Sequence, residues 1–344
     1  MIDYLQKDPE IWDLFTRKEE YQSTIRDRYD RFPHYASAYR KIFEPRVSKY
    51  LIEHGYHVEY PDGRPFAVCL THDIDVLYET KVTKSIAALR QLRNAHFSGC
   101  MHSLAQMRSK KLPWWNFSGI MALEERYGAK SSFYLMVQDP GDQDYVYDIE
   151  DCEAIIGELS DEGWEVGLHG GHTAYNDPVE IKAKKQRLEK VLNKNVVGYR
   201  NHYLRFRVPD TWEHLCSAGF QYDATFGYAD CVGFRNGMCH PFKPYNLTTQ
   251  HVIDILEIPL TIMDCTLDLY MKLDISKAWE TTKLLIDTVE RYHGIVTLLW
   301  HNYSCIGEQW KFYEKILKYC ADKNAWMTSG EEITKNAGLI GDCD

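Results

Sequence analysis

The stretch FAVCLTHDID (66–75) decides how the chain is read. It opens as an apolar, β-forming run and then passes abruptly into His72, Asp73 and Asp75. A continuous apolar strand is the signature of a parallel sheet covered on both faces. In extended backbone, residues two apart point to the same side. Asp73 and Asp75 can therefore face one pocket from one strand end. The plainer alternative is that either aspartate caps the following helix.

Further apolar runs repeat this grammar. SSFYLMV (131–137), WEVGLH (164–169), VVGYR (196–200), ILEIPL (255–260), GIVTLLW (294–300) and the weaker AWMTS (325–329) read as strands. Between them, helical periodicity is expected over 117–127, 149–162, 178–192, 209–218, 276–293 and 309–321. Strands alternating with amphipathic helices predict an α/β fold, a distorted (β/α) barrel of about seven parallel strands. Residues 1–60 read as a helical extension: EIWDLFTRKEEYQSTIRDRYDRF (10–32) spaces its aromatics by three and four, and a second helix is expected from Val47 to His54. The barrel is then placed at 61–340, with a long insertion at 77–116.

Composition bounds the function. Hydrophobic residues make up 44% of the 344, enough for a large core, and 40 basic against 50 acidic residues give a net charge of −10. Such a chain is a poor partner for nucleic acid or anionic lipid. No run of 18 apolar residues predicts a membrane span, and MIDYLQKDPEIWDLF (1–15) lacks the basic-then-apolar pattern of a signal peptide. The ten cysteines are scattered without a C-x-x-C pair, which predicts reduced thiols in a cytoplasmic protein.

In parallel α/β folds, sites form at the C-terminal ends of strands. Four expected strands end in Asp73 and Asp75, in His169 and His172, in Arg200 and His202, and in His301. One such residue is an ordinary cap; four at one rim point to a shared site. A carboxylate with two imidazoles and an open position suits a catalytic divalent ion such as zinc. His169 and His172 can reach one ion if Gly170-Gly171 turns the chain between them. No cysteine is close in sequence to these positions, so a thiolate ligand is not expected.

Together THDID (71–75), GLHGGHTAY (167–175), GYRNHYLRF (198–206) and LLWHN (298–302) resemble four of the five motifs of the polysaccharide deacetylase family, the NodB-homology carbohydrate esterases, in its D-x-D branch. The resemblance covers about residues 64–330. It implies a NodB-like barrel and a metal-dependent hydrolase that removes an N-acetyl group from an amino sugar or glycan precursor. Asp73 matches the general base, Asp75 the metal-binding aspartate, His169 the first metal histidine, Arg200 the arginine that orients the base, and His301 the general acid. The family's second metal histidine falls on Thr173; His172 and His202 are equal candidates to replace it. Asp264 is the one candidate for the aspartate that tunes the acid histidine.

In this chemistry the metal activates water and polarises the acyl oxygen, with a backbone N–H near Tyr203 as a second oxyanion donor. Tyr203 and Arg205 in NHYLRF (201–206) and Arg235 in GFRNGMCHPF (233–242) are candidates to line a sugar cleft. Trp114-Trp115 would either stack on sugar or pack. Two other readings compete: hydrolysis of a non-sugar amide in the same fold, and a non-catalytic carbohydrate-binding barrel. A glycosidase ranks last, because Asp73 and Asp75 are too close to flank a sugar link. Whether the helices of 1–60 cover the site or join a homo-oligomer is left open by the sequence.

Overall fold

The structure, a computed structural model, describes residues 1–77 and 115–336. The insertion expected at 77–116, with Trp114, falls almost wholly outside the described residues. Eleven strands are described: β1 (Ala67–Ile74), β2 (Ser132–Met136), β3 (Glu165–Gly170), β4 (Gly198–Asn201), β5 (Tyr222–Asp223), β6 (Tyr245–Asn246), β7 (His251–Val252), β8 (Leu256–Glu257), β9 (Ile262–Met263), β10 (Ile295–Leu299) and β11 (Trp326–Thr328). One sheet runs β8-β5-β4-β3-β2-β1-β10-β9, with every neighbouring pair parallel. β11 pairs with the first half of β1, and β6 and β7 form a separate antiparallel hairpin.

The sheet is curled, and chain length requires it. β8 and β9 occupy opposite edges, yet only residues 258–261 join them. That link spans at most about 18 Å, whereas eight strands laid flat would hold their edges about 34 Å apart. The sheet must bend until its edges approach, and all the C-terminal strand ends then open onto one mouth. This is the distorted (β/α) barrel with an N-terminal helical extension that the sequence implies. The expected strand 255–260 is instead two short strands and the closing link between them.

Inside the curl, two glycines make room for two tyrosines. A Cβ on Gly167 would come within 2.5 Å of the Tyr134 ring, and one on Gly198 within 2.2 Å of the Tyr222 hydroxyl. The two phenols meet at 2.8 Å, and Tyr222 also donates to Glu165 at 2.6 Å. This buried layer fills the barrel beneath the mouth. Outside the sheet, helix Pro178–Leu192 is as expected: Asp177 accepts from the Val179 and Glu180 amides, proline stands first, and Asn193 ends it with φ +54°.

The N-terminal extension departs from the expected single helix over 10–32. Helices Pro9–Thr16 and Lys18–Gln22 break at Arg17, whose φ is +56°, and the chain is irregular after Gln22. The break has a tertiary cause. Arg17, 1% exposed, sends Nε to Glu20 (2.8 Å), Nη1 to the Arg235 carbonyl (2.8 Å) and Nη2 to the Tyr228 hydroxyl (2.7 Å). Glu20, 4% exposed, also accepts from Arg235. Arg235 is thus committed to joining the extension to the barrel, which corrects its expected place in a sugar cleft. Leu5, Ile11, Leu14, Phe15, Val47 and Leu51 join the same buried core as the strands.

Removing Glu20 leaves the buried Arg235 guanidinium without its carboxylate and Arg17 with Glu19 alone. Glu20→Ala is expected to destabilise the fold by about 3–5 kcal/mol, read as a lower urea midpoint. A shift equivalent to under about 1 kcal/mol would contradict the linking role, since that is what an exposed pair contributes.

Candidate active site

β1 delivers Thr71, Asp73 and, just past its end, Asp75 to the barrel interior. His72 alternates outward, where its Nε2 meets the buried Glu124 at 2.7 Å and its Nδ1 the Trp300 carbonyl at 2.8 Å. β3 contributes His169, and β4 Arg200 in register beside it. His202 follows β4 in a tight turn, and His301 follows β10. The four strand ends picked out by the sequence therefore meet.

Asp75, His169 and His202 form one group with donor atoms all within 4.8 Å of one another; Asp264, Cys265 and His301 form another beside it. His169 Nε2 lies 3.1 Å from Asp75 Oδ1 and 3.2 Å from His202 Nδ1, and His202 Nδ1 lies 3.4 Å from Asp75 Oδ1. His169 Nδ1 is 3.0 Å from the Arg200 carbonyl, which can only accept, so Nδ1 carries the proton. In a neutral ring Nε2 then presents a lone pair to the Asp75 carboxylate. The other ring nitrogen of His202 faces Asp144 at 3.9 Å, beyond hydrogen-bond length. Burial disfavours its charge, but protonated neighbouring imidazoles, His202 first, hold the Asp75 carboxyl well below the usual carboxylate range, a role that a bound cation would take over. Converging lone pairs with a buried, otherwise unbonded Asp75 Oδ1 fit a divalent cation. The structure brings His202 into this group. His172 sits farther out, 3.4 Å from Asp144, with its main-chain carbonyl accepting from Arg205.

Asp73 stands beside the group, 2% exposed, with Oδ2 3.6 Å from His169 Nε2. Its Oδ1 is buried without a hydrogen bond and lies 3.9 Å from Arg200 Nε. Arg200 is fully buried, donates to Thr71 at 2.9 Å and lies over the Tyr134 ring. On the other side, His301 Nδ1 is bound at 2.6 Å by Asp264, which also accepts the His301 backbone amide. That leaves His301 Nε2 facing Asp75 Oδ2 at 3.7 Å. Burial opposes a charge on His301, but the Asp264 carboxylate outweighs it and holds the imidazole well above its ordinary value.

A cavity of about 400 Å³ opens over these groups. Asp73, Asp75, His202, His301, Tyr203 and Tyr303 give it polar walls, and Leu204, Met263 and Leu299 an apolar one. Tyr203 lines the cavity, whereas Arg205 braces Tyr175 and the His172 carbonyl outside it. Several residues in or beside the site had no clear signal. Asp144 is one of four aspartates in QDPGDQDYVYD (138–148). Cys265 reaches the wall, 3.2 Å from the Tyr303 hydroxyl and 3.8 Å from His301, although it is distant in sequence from the motifs. Arg28, Tyr29 and Arg31 come from the extension.

No protein-family model and no curated protein matches the sequence. Solved structures match the fold. A provisionally named polysaccharide deacetylase from Mycobacterium smegmatis superposes with TM-score 0.55 at 17% identity, covering 83% of this chain and 96% of that one. Another provisionally named polysaccharide deacetylase, from Pseudomonas aeruginosa PAO1, gives TM-score 0.54 at 13% identity, covering 88% and 95%. This chain has their fold.

Zinc titration followed by calorimetry separates the histidines. Asp75→Ala and His202→Ala are each expected to weaken binding by at least about 100-fold, more than the loss of an outer-sphere partner costs. His172→Ala is expected to change it by less than about threefold. The reverse pattern for the two histidines would exclude the Asp75–His169–His202 site.

Proposed function

We propose that this protein is a metal-dependent hydrolase that removes the N-acetyl group of an amino sugar or glycan precursor. The observation that carries the reading is the placement of a carboxylate and an Asp-held imidazole, Asp73 and His301, beside one His-His-Asp cation site at the mouth of a deacetylase-fold barrel. A divalent ion held by Asp75, His169 and His202, zinc in our reading, would supply Lewis acidity to the acyl oxygen and to the attacking water.

The chain's own residues do the rest. Asp73 takes the water's proton through Oδ2, the oxygen on the His169 side, with Arg200 facing its Oδ1. His301 enters the reaction protonated and gives its Nε2 proton to the departing amine, because Asp264 fixes Nδ1 as the inner nitrogen. Leu299 and Met263 offer an apolar seat for the acetyl methyl, while the wider mouth takes the sugar. The backbone N–H of Tyr203, in the left-handed turn directly after His202, is the chain's own donor for the oxyanion. We read a reducing compartment, the cytoplasm, as its setting: the eight described cysteines are all free thiols.

Acetate release from N-acetylhexosamine compounds by the zinc-loaded protein tests the reaction. Asp73→Asn is expected to keep about one ion per chain and lose turnover by about 10³-fold. Full activity in that variant would remove Asp73 from its role. The pH profile tests His301. The acid form is lost as pH rises through its raised pKa, so activity falls on the alkaline side. Asp264→Asn deletes the carboxylate that raises that pKa, and the alkaline limb is expected to move to lower pH. An unmoved limb would mean that another group sets it.

A further inference from the structure

The extension does more than cover the barrel. Arg31, 6% exposed, is held by Asp27 and donates Nη1 to the Tyr203 carbonyl at 2.7 Å and Nη2 to the Tyr270 hydroxyl at 3.2 Å. The Tyr29 ring stacks on Tyr203 at 4.5 Å and 18°. Residues 27–31 are thereby fastened to the turn that carries His202. Between these anchors stands Arg28, exposed, lying 4.7 Å from the centre of the Tyr29 ring and lining the same cavity as Asp75 and His301.

The other arginines around this mouth are committed. Arg31 pairs with Asp27, Arg200 faces Asp73 and Thr71, Arg205 binds the His172 carbonyl, and Arg207 pairs with Asp30. Among the described residues Arg28 and Arg205 have no carboxylate within ion-pair distance, but Arg205 donates to the His172 carbonyl and the Tyr175 hydroxyl, whereas the contact of Arg28 is an aromatic face. A guanidinium stacked on a ring keeps its N–H fork free for a bidentate anion. In a chain of net charge −10, a fixed cation at the cavity mouth is a local recognition element against an unfavourable general field.

We propose that Arg28 forms an anion subsite of this active site and that the amino sugar it accepts carries a phosphoryl group, as a sugar phosphate or a diphosphate-linked precursor. The proposal rests on the deacetylase reading for the chemistry but not for the binding. The acetamido end would occupy the depth beside His301, and the phosphoryl end the rim, where Tyr29 and the exposed Tyr270 flank it.

The test is calorimetric, on the zinc-loaded full chain, with an N-acetylhexosamine 1-phosphate, its nucleotide diphosphate ester and the neutral methyl glycoside. The phosphorylated ligands are expected to bind at least tenfold more tightly than the glycoside, and more weakly at high salt. Arg28→Ala should erase that margin without changing glycoside binding, and Arg28→Lys should restore part of it. Tighter binding of the diphosphate ester than of the monophosphate identifies a carrier-linked sugar; equal binding identifies the free sugar phosphate. Equal affinity for charged and neutral ligands, or an equal loss of both in Arg28→Ala, would overturn the subsite. Binding preference without acetate release would overturn the deacetylase reading and leave the subsite standing. Acetate release without preference would do the opposite.

Discussion

Everything at the mouth of this barrel depends on one electrostatic arrangement. The Arg200 carbonyl fixes the proton of His169 on the far side of its ring, and the near side then turns a lone pair toward a buried carboxylate. Two more donors, on His202 and Asp73, crowd the same few ångströms. Electron pairs packed this closely away from water cost free energy unless a cation stands among them. The fold accepts that cost because the groups sit on three different strand ends, those of β1, β3 and β4, each held by its own ladder of hydrogen bonds. The barrel cannot relax one without disturbing its neighbours.

Much of this was legible in the sequence because it obeys short-range rules. A long apolar run names a buried strand, a two-residue spacing names a shared face, and a strand end names the rim. Those rules place Asp73, Asp75, His169, Arg200, His202 and His301 together without any coordinates. Helix Pro178–Leu192 was equally plain, with proline at its start and asparagine at its end. What stayed hidden was set by tertiary contacts. β5, β6, β7, β8 and β9 have two residues each, too few to show a period. Arg17 breaks a well-patterned helix to reach partners some two hundred positions away. The choice between His172 and His202 could not be read from spacing, because the turn geometry at Tyr203, not sequence distance, aims the second ring.

The extension illustrates why a helical pattern at the start of a chain says little about its use. Its apolar side joins the core as periodicity suggests, while its irregular end reaches the active site through polar contacts that carry no pattern. Arg31 holds a main-chain carbonyl, and a carbonyl has no letter in a sequence. The aromatic pair of Tyr29 and Tyr203 joins residues that only the closed barrel brings together.

The Tyr134–Tyr222 layer has a kinetic consequence. With the barrel filled below the mouth, the cavity is a cul-de-sac: whatever enters first and deepest leaves last. On the proposed deacetylase reading, a cleaved acyl fragment seated against Leu299 would lie behind the sugar that brought it in, and departure would be sequential, amine ahead of acid. Accumulated carboxylate would then act as a plug, competing with the next substrate for the proposed cation site and the apolar seat together.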